Sequence, residues 1–114
     1  MRRGAALLLA LALGVVLAAG CGGGDDDNGA AAPSDRGKAL FTTDAQPPCG
    51  SCHVLADAGT SGTVGPNLDT LQPTAARVAN AMRDGPGAMP SFSDTLTDED
   101  IDAVATYVES AAGG

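Results

Sequence analysis

Large side chains are scarce in this chain, which has no tryptophan, two phenylalanines and one tyrosine. Alanine supplies much of the remaining hydrophobicity, and an alanine side chain buries little apolar area. Chains of this size usually need a metal, disulfide bonds or a cofactor to complete their stability. The composition therefore predicts that something other than protein fills the middle of the domain.

Basic residues are also few, with six lysines and arginines against 14 aspartates and glutamates. Without residues 1–20, four basic and all 14 acidic residues remain, which gives a net charge of about −10. Binding to nucleic acid phosphates needs clustered lysine and arginine, so we expect no nucleic acid partner. The acidic excess keeps the protein soluble, and it is compatible with a protein partner that has a basic docking surface.

One hydrophobic run stands at the N-terminus, where Arg2 and Arg3 precede the uncharged stretch Ala5–Ala19. This stretch is shorter than the roughly 20 residues that span a bilayer as a helix. A positive start, a short apolar run and small residues before Cys21 are typical of an export signal. Such a segment can be removed by simple cleavage, can remain as an uncleaved membrane anchor, or can be removed when the following cysteine is lipidated.

The junction LAAGC resembles the lipobox of bacterial lipoproteins, in which the cysteine is lipidated and becomes the mature N-terminus. Cys21 occupies that position, although Ala18 stands where the motif prefers leucine. More than one acyl chain there would give a stable anchor, on the outer face of the cytoplasmic membrane or the periplasmic side. The predicted segments are a lipoprotein signal peptide at 1–20, a flexible Gly/Asp/Ala linker at 21–33 and one domain at 34–114.

The domain is predicted to be all-α, because no segment alternates convincingly as a strand. Its first helix has candidate capping residues at Ser34 and Asp35, followed by Leu40 and Phe41 on the apolar side.

Two further helices are predicted. One runs from about Thr74 to Asp84 and ends at Gly85, a residue suited to a helix C-terminus. The other begins at an N-cap Thr97, with an approximate capping box to Asp100 and apolar residues at helical spacing behind it.

Cys49, Cys52 and His53 form a CxxCH motif that contains the only histidine of the chain. A redox dithiol needs a βαβ scaffold, and a structural zinc site needs four ligands, usually from two separated pairs. A disulfide over two intervening residues would stabilise little and would leave the histidine unexplained. Haem attachment accounts for all three residues, with one covalent haem c as the predicted cofactor.

With this motif, the segments GPNLDTL at 65–71 and GAMPSF at 87–92 make residues 34–112 similar to the class I cytochrome c family. The resemblance implies a small cytochrome c-like fold, with three or more helices wrapped around one covalently bound haem. It also implies that the carbonyl of Pro66 accepts a hydrogen bond from His53. The first and last helices are expected to cross through Gly37, Phe41 and Tyr107.

A methionine is the candidate for the second axial iron ligand. Met82 lies on the apolar face of a predicted helix, where methionine is more often a packing residue. Met89 follows a Gly-Pro-Gly turn and precedes Pro90, so it cannot lie within a helix. The family's methionine ligand has this Met-Pro context, and we therefore favour His53 and Met89 as the axial pair.

A haem with histidine and methionine ligands has no vacant coordination site, which predicts a one-electron carrier and no enzyme. We expect a monomer, tethered to the membrane through its lipid anchor, that exchanges electrons with redox proteins. The resemblance suggests a quinol-oxidising complex or a dehydrogenase on one side and a terminal oxidase or reductase on the other. The alternatives are a haem enzyme or gas sensor with a labile sixth ligand, and a cytochrome subunit of a larger respiratory complex.

Overall fold

The computed structural model describes residues 33–114. In chain order its elements are α1 (Pro33–Ala39), β1 (Val54–Leu55), β2 (Thr60–Ser61), α2 (Leu68–Leu71), α3 (Ala75–Asp84) and α4 (Asp98–Ala111). A π-helical turn (Leu40–Asp44) extends α1, and 3₁₀ turns cover Cys49–Ser51 and Ala56–Ala58. The predicted signal peptide, Cys21 and all of the linker before Pro33 lie outside the described residues. Within residues 33–114, no helix has both the length and the hydrophobicity needed to cross a bilayer.

Helix α1 contains Ser34 and Asp35, so the prediction that these residues precede and cap it is wrong. Asp35 lies instead in the first turn, where the positive end of the helix dipole favours an acidic side chain. The chain then widens into the π-helical turn, in which the Ala45 amide donates to the Leu40 carbonyl at 3.2 Å. Leu40 and Phe41 are buried in this turn, as their apolar pattern predicts.

Helix α4 begins directly after its predicted N-cap Thr97, and α3 begins one residue after the predicted start at Thr74. Thr74 Oγ1 accepts a hydrogen bond from a backbone amide in the first turn of α3 at 3.2 Å. Thr97 Oγ1 does the same for α4 at 3.1 Å. Gly85 ends α3 in the left-handed conformation, with φ of 61°, which glycine adopts without a steric penalty.

Helices α1 and α4 approach each other closely at Gly37. A Cβ atom on Gly37 would lie 2.6 Å from the Cβ of Tyr107 and would also overlap the carbonyl oxygen of Ala103. One turn further along, the rings of Phe41 and Tyr107 meet edge to face, with centroids 6.1 Å apart at an angle of 67°. The absence of a side chain at Gly37 therefore sets the separation of the two helices.

Two polar contacts reinforce this crossing. Arg36 on α1 donates to both carboxylate oxygens of Asp100 on α4, at 3.0 and 3.2 Å. The Asp100 carboxylate thus bonds to the other helix and does not accept from the backbone amide of Thr97. The predicted capping box is therefore correct for the Thr97 side chain and wrong for the Asp100 side chain. The Tyr107 hydroxyl donates to Asp57 at 2.6 Å, and Lys38 lies 3.3 Å from the same carboxylate. Both hydrogen bonds lower the pKa of Asp57, and the one from Tyr107 has the larger effect.

A short antiparallel hairpin, β1 and β2, corrects the expectation that the domain has no strands. Leu55 pairs with Thr60 across the hairpin, and Gly59 makes the turn with φ of 67°. Thr60 Oγ1 accepts from the Leu55 amide at 3.1 Å and donates to the His53 carbonyl at 2.9 Å. Strands of two residues are too short to produce an alternating pattern in the sequence.

Asp69 connects the hairpin, α2 and the residues that follow α4. Its carboxylate accepts from the Ala56 amide at 2.8 Å and from the Gly113 amide at 3.0 Å. The side chain of Asn67 caps α2 by accepting from the amide of Asp69 at 2.9 Å. Three distant segments therefore meet at one carboxylate.

The core is small and dominated by aliphatic side chains. The largest fully buried ones are Phe41, Leu40, Leu55, Met82, Ile101, Val104 and Val108. They come mainly from the π-helical turn and from the inner faces of α3 and α4, which places the core on one side of the cavity described below.

We predict that Gly37→Ala destabilises the protein by about 1–3 kcal/mol, because the added methyl group meets the α4 backbone. The sign is diagnostic, since alanine within an unobstructed helix is favoured over glycine by about 0.5–1 kcal/mol. Equilibrium denaturant unfolding followed by circular dichroism measures the change. Ser34→Ala, at an exposed position of the same helix, is the control and should stay within about 0.5 kcal/mol of wild type. A Gly37→Ala protein as stable as wild type would contradict the proposed helix contact.

Candidate cofactor site

A cavity of about 360 Å³ is lined by the CxxCH segment, by α3 and by the loop that follows α3. Its lining is mostly apolar and includes prolines, valines, leucines and Phe41. Cys49, Cys52, His53 and Met89 all contribute to this lining. The structure therefore brings four residues from the sequence prediction to one cavity.

The 3₁₀ turn at Cys49–Ser51 fixes the backbone of the CxxCH motif. The amides of Cys52 and His53 both donate to the Cys49 carbonyl, each at 3.1 Å. The Cys52 carbonyl accepts in turn from the amide of Gly65 at 2.8 Å. One tight turn thus sets the relative positions of both sulfurs and the imidazole.

Both cysteines are free thiols and half-buried. Burial raises the pKa of the Cys49 thiol to about 11, so this group stays protonated at neutral pH. A buried, protonated thiol is a weak nucleophile and a poor metal ligand, because both roles require the thiolate. A protonated thiol at Cys49 is compatible with a residue that is modified by a cofactor.

His53 is held by the segment at 65–66. Its Nδ1 lies 2.7 Å from the Pro66 carbonyl oxygen, which is the contact that the family resemblance implies. A carbonyl can only accept, so Nδ1 carries a proton, and in the neutral ring the lone pair is on Nε2. Gly65 packs directly against the ring, and a Cβ atom there would lie 2.8 Å from Nδ1. The imidazole is therefore fixed in the tautomer that a metal ligand needs.

Both candidate methionines line the cavity, so this placement alone does not separate them. Met82 is 1% exposed and belongs to the core under α3. Met89 is half-buried and lies in an irregular loop, where its amide donates to the Pro86 carbonyl at 3.1 Å. The loop is tied to the end of α3, because Ser91 Oγ donates to the Arg83 carbonyl at 2.6 Å. The backbone at Met89 is therefore held by hydrogen bonds of the loop, although Met89 is not part of a helix.

The predicted helix-crossing residues lie to one side of the cavity. Gly37 and Tyr107 are in the crossing of α1 and α4, whereas Phe41 takes part in that contact and also lines the cavity. One residue thus connects the helix crossing to the cavity wall.

Several residues at this site were not predicted from the sequence. Arg77 lines the cavity from α3. The only indication of this in the sequence is that a single basic residue stands next to the apolar face of the predicted helix. Val64 and Leu71, which are 71% and 37% exposed, also belong to the lining. Thr60, which bonds to the His53 carbonyl, gave no signal because its partner lies across a hairpin that was not predicted.

The donor set fits a haem c better than a bare metal ion. Two thiols three residues apart suit attachment to a porphyrin, and an imidazole and a thioether in the same cavity suit iron. An apolar lining suits a flat, largely hydrophobic group. The cavity also lies where the shortage of large side chains predicts that protein atoms do not fill the domain.

Comparison with known proteins agrees with this geometry. The family model described as cytochrome c oxidase, cbb3-type, subunit III matches residues 32–108. Among solved structures, the crystal structure of the c-type cytochrome SorU from Sinorhizobium meliloti is 48% identical, with a TM-score of 0.69. The match covers 71% of this chain and 92% of that chain. The predicted fold and family are therefore confirmed: the chain belongs to this cytochrome family and is a class I c-type cytochrome.

Proposed function

We propose that this cytochrome is a membrane-tethered one-electron carrier that holds one haem c through Cys49 and Cys52, with His53 and Met89 as axial ligands. The observation that carries the proposal is the cavity, whose lining includes both the CxxCH turn and Met89. Both cysteines are free to form thioethers. His53 already has the hydrogen bond that orients an axial imidazole.

When bound, haem supplies a couple between Fe(III) and Fe(II) that takes up or releases one electron. The residues of this chain would hold the group and tune it. The Pro66 carbonyl keeps the proton on Nδ1 of His53 and increases the basicity of the ring. The apolar lining excludes water, and a thioether ligand favours the reduced metal and so raises the reduction potential.

Covalent attachment gives the first prediction for this function. Each cysteine S–H would add across one vinyl C=C, sulfur to one carbon and hydrogen to the other, so that no atom is lost. Haem should therefore remain on the denatured polypeptide after extraction with acidified acetone. In the double variant Cys49→Ser and Cys52→Ser the covalent haem should be absent, and the domain should fail to fold because its own core is small. Complete extraction of haem from the wild-type protein would overturn the attachment.

The choice of Met89 over Met82 rests on what each residue does in the domain. Met82 is enclosed by the core of α3 and α4, which is a sufficient role for its side chain. Met89 is outside any helix and packs only against the edge of that core. A ligand on the loop can approach iron without moving a helix, which favours Met89.

We predict that Met89→Ala lowers the reduction potential, removes the near-infrared sulfur-to-iron band and lets CO bind the ferrous protein. Met82→Ala is the matched control at a second methionine of the same cavity. It should keep the band, yet lose about 2–5 kcal/mol of stability because it leaves a hole in the core. The reverse pattern of band loss would assign the ligand to Met82. Rapid CO binding by the wild-type protein would favour a haem enzyme or gas sensor instead.

The tether, the division at residues 20 and 33 and the location outside the cytoplasm are proposals from the N-terminal sequence. The export pattern ahead of Cys21 and the Gly/Asp/Ala linker support a lipid anchor with some freedom of movement. Redox proteins are the proposed partners, through a basic docking surface that suits the acidic charge of this chain. We propose that the protein works as a monomer.

A second candidate, a cytochrome subunit of a respiratory complex, is favoured by the subunit named in the family match. The match to SorU, which covers 92% of that chain, favours a separate small cytochrome. Purification from membranes after mild detergent extraction distinguishes the two, since a subunit would elute with its complex.

The anchor gives a further prediction. Cys21→Ser should release the protein from membranes or stop its processing, because no other acylation site is expected in the tether. Fractionation with immunodetection measures the release, and intact mass measures the acyl chains. Ala18→Leu, which restores the residue that the lipobox prefers, is the control and should be processed at least as well as wild type. A soluble and unacylated mature wild-type protein would contradict the anchor.

A further inference from the structure

Arg77 is the one permanently charged side chain among the described residues that line the cavity. The rest of that lining contains no lysine, aspartate or glutamate. Arg77 is also exposed to solvent. It therefore lies where the cavity opens to the surface.

The other basic residues of the described part of the chain already have partners. Arg36 pairs with Asp44 and Asp100, Lys38 with Asp57, and Arg83 with Asp98 and Asp102. In residues 33–114, the guanidinium of Arg77 forms no ion pair with a carboxylate. This is notable in a domain where acidic side chains greatly outnumber basic ones.

The neighbours of Arg77 on its helix offer no competing negative charge. Asn80 and Ala81 lie three and four residues ahead, and Thr74 and Pro73 lie three and four residues behind. Residues at these spacings share a helix face and would be its first ion-pair partners. Its positive charge is therefore available at the cavity mouth.

We propose that Arg77 binds a propionate of the haem, an inference that rests on the proposed haem site in this cavity. Haem carries two propionates that are ionised at neutral pH, and an ionised carboxylate is costly to desolvate without a partner. The planar guanidinium can donate two parallel hydrogen bonds to a carboxylate. The cavity lining supplies no other cationic side chain for that role.

This contact sets an electronic property of the cytochrome in addition to its affinity for haem. A positive charge close to the porphyrin offsets the propionate charge and favours the iron state with the additional electron. Arg77 therefore raises the reduction potential, and it acts on the iron through the propionate without touching the metal.

The experiment compares three haem-loaded variants of the full chain by spectroelectrochemical titration and by resonance Raman spectroscopy of the propionate bending band. Arg77→Gln should lower the midpoint potential and shift the propionate band. Arg77→Lys keeps the charge and should restore most of the potential, whereas the band should stay shifted because the fork of two donors is lost. Arg83→Gln, on the same helix but paired with acids away from the cavity, should match wild type in both measurements.

Two results would overturn the assignment. The first is a potential and a propionate band in Arg77→Gln that equal those of wild type. The second is an equal fall in potential in Arg77→Gln and Arg83→Gln, which would indicate a general effect of surface charge. In both cases covalent haem and the sulfur-to-iron band would persist, so the haem site would stand. Their absence from the wild-type protein would instead refute the proposed function.

Discussion

The contact of α1 with α4 at Gly37 is the constraint on which the rest of the domain depends. Because no side chain separates the helices there, Phe41 can reach both Tyr107 and the cavity. Arg36 closes the same crossing with a bidentate pair to Asp100. A domain with few large side chains thus has a closely packed helix pair beside the cavity that can hold a cofactor.

The CxxCH segment, which also lines the cavity, is held in place by several hydrogen bonds. The CxxCH turn, the hairpin and the segment at 65–69 are joined through carbonyls and short polar side chains. His53 is bonded at both its ring and its main chain, by Pro66 and Thr60 respectively. These hydrogen bonds suit an electron carrier, since a fixed ligand geometry reduces the rearrangement that accompanies a change of charge.

Features that depend on short stretches of sequence were predictable. The approximate start of α3 and its end at Gly85, the N-cap Thr97 and the grouping of Cys49, Cys52 and His53 all follow from residues close together in the chain. What could not be predicted depends on distant partners. Asp100 bonds Arg36, 64 residues away, in place of its own helix N-terminus. The hairpin is too short to show alternation, and the position of Arg77 at the cavity requires knowledge of how α3 packs.

The Asp69 carboxylate has a consequence for how motion passes through the molecule. It bonds the amide of Gly113, beyond α4, and lies three residues from Pro66, whose carbonyl holds His53. Local unfolding at the end of α4 would remove one of the two backbone donors of this carboxylate. Fraying of a helix terminus, which is a low-energy event in most proteins, would therefore loosen one anchor of the segment whose Pro66 carbonyl holds the His53 imidazole at the cavity.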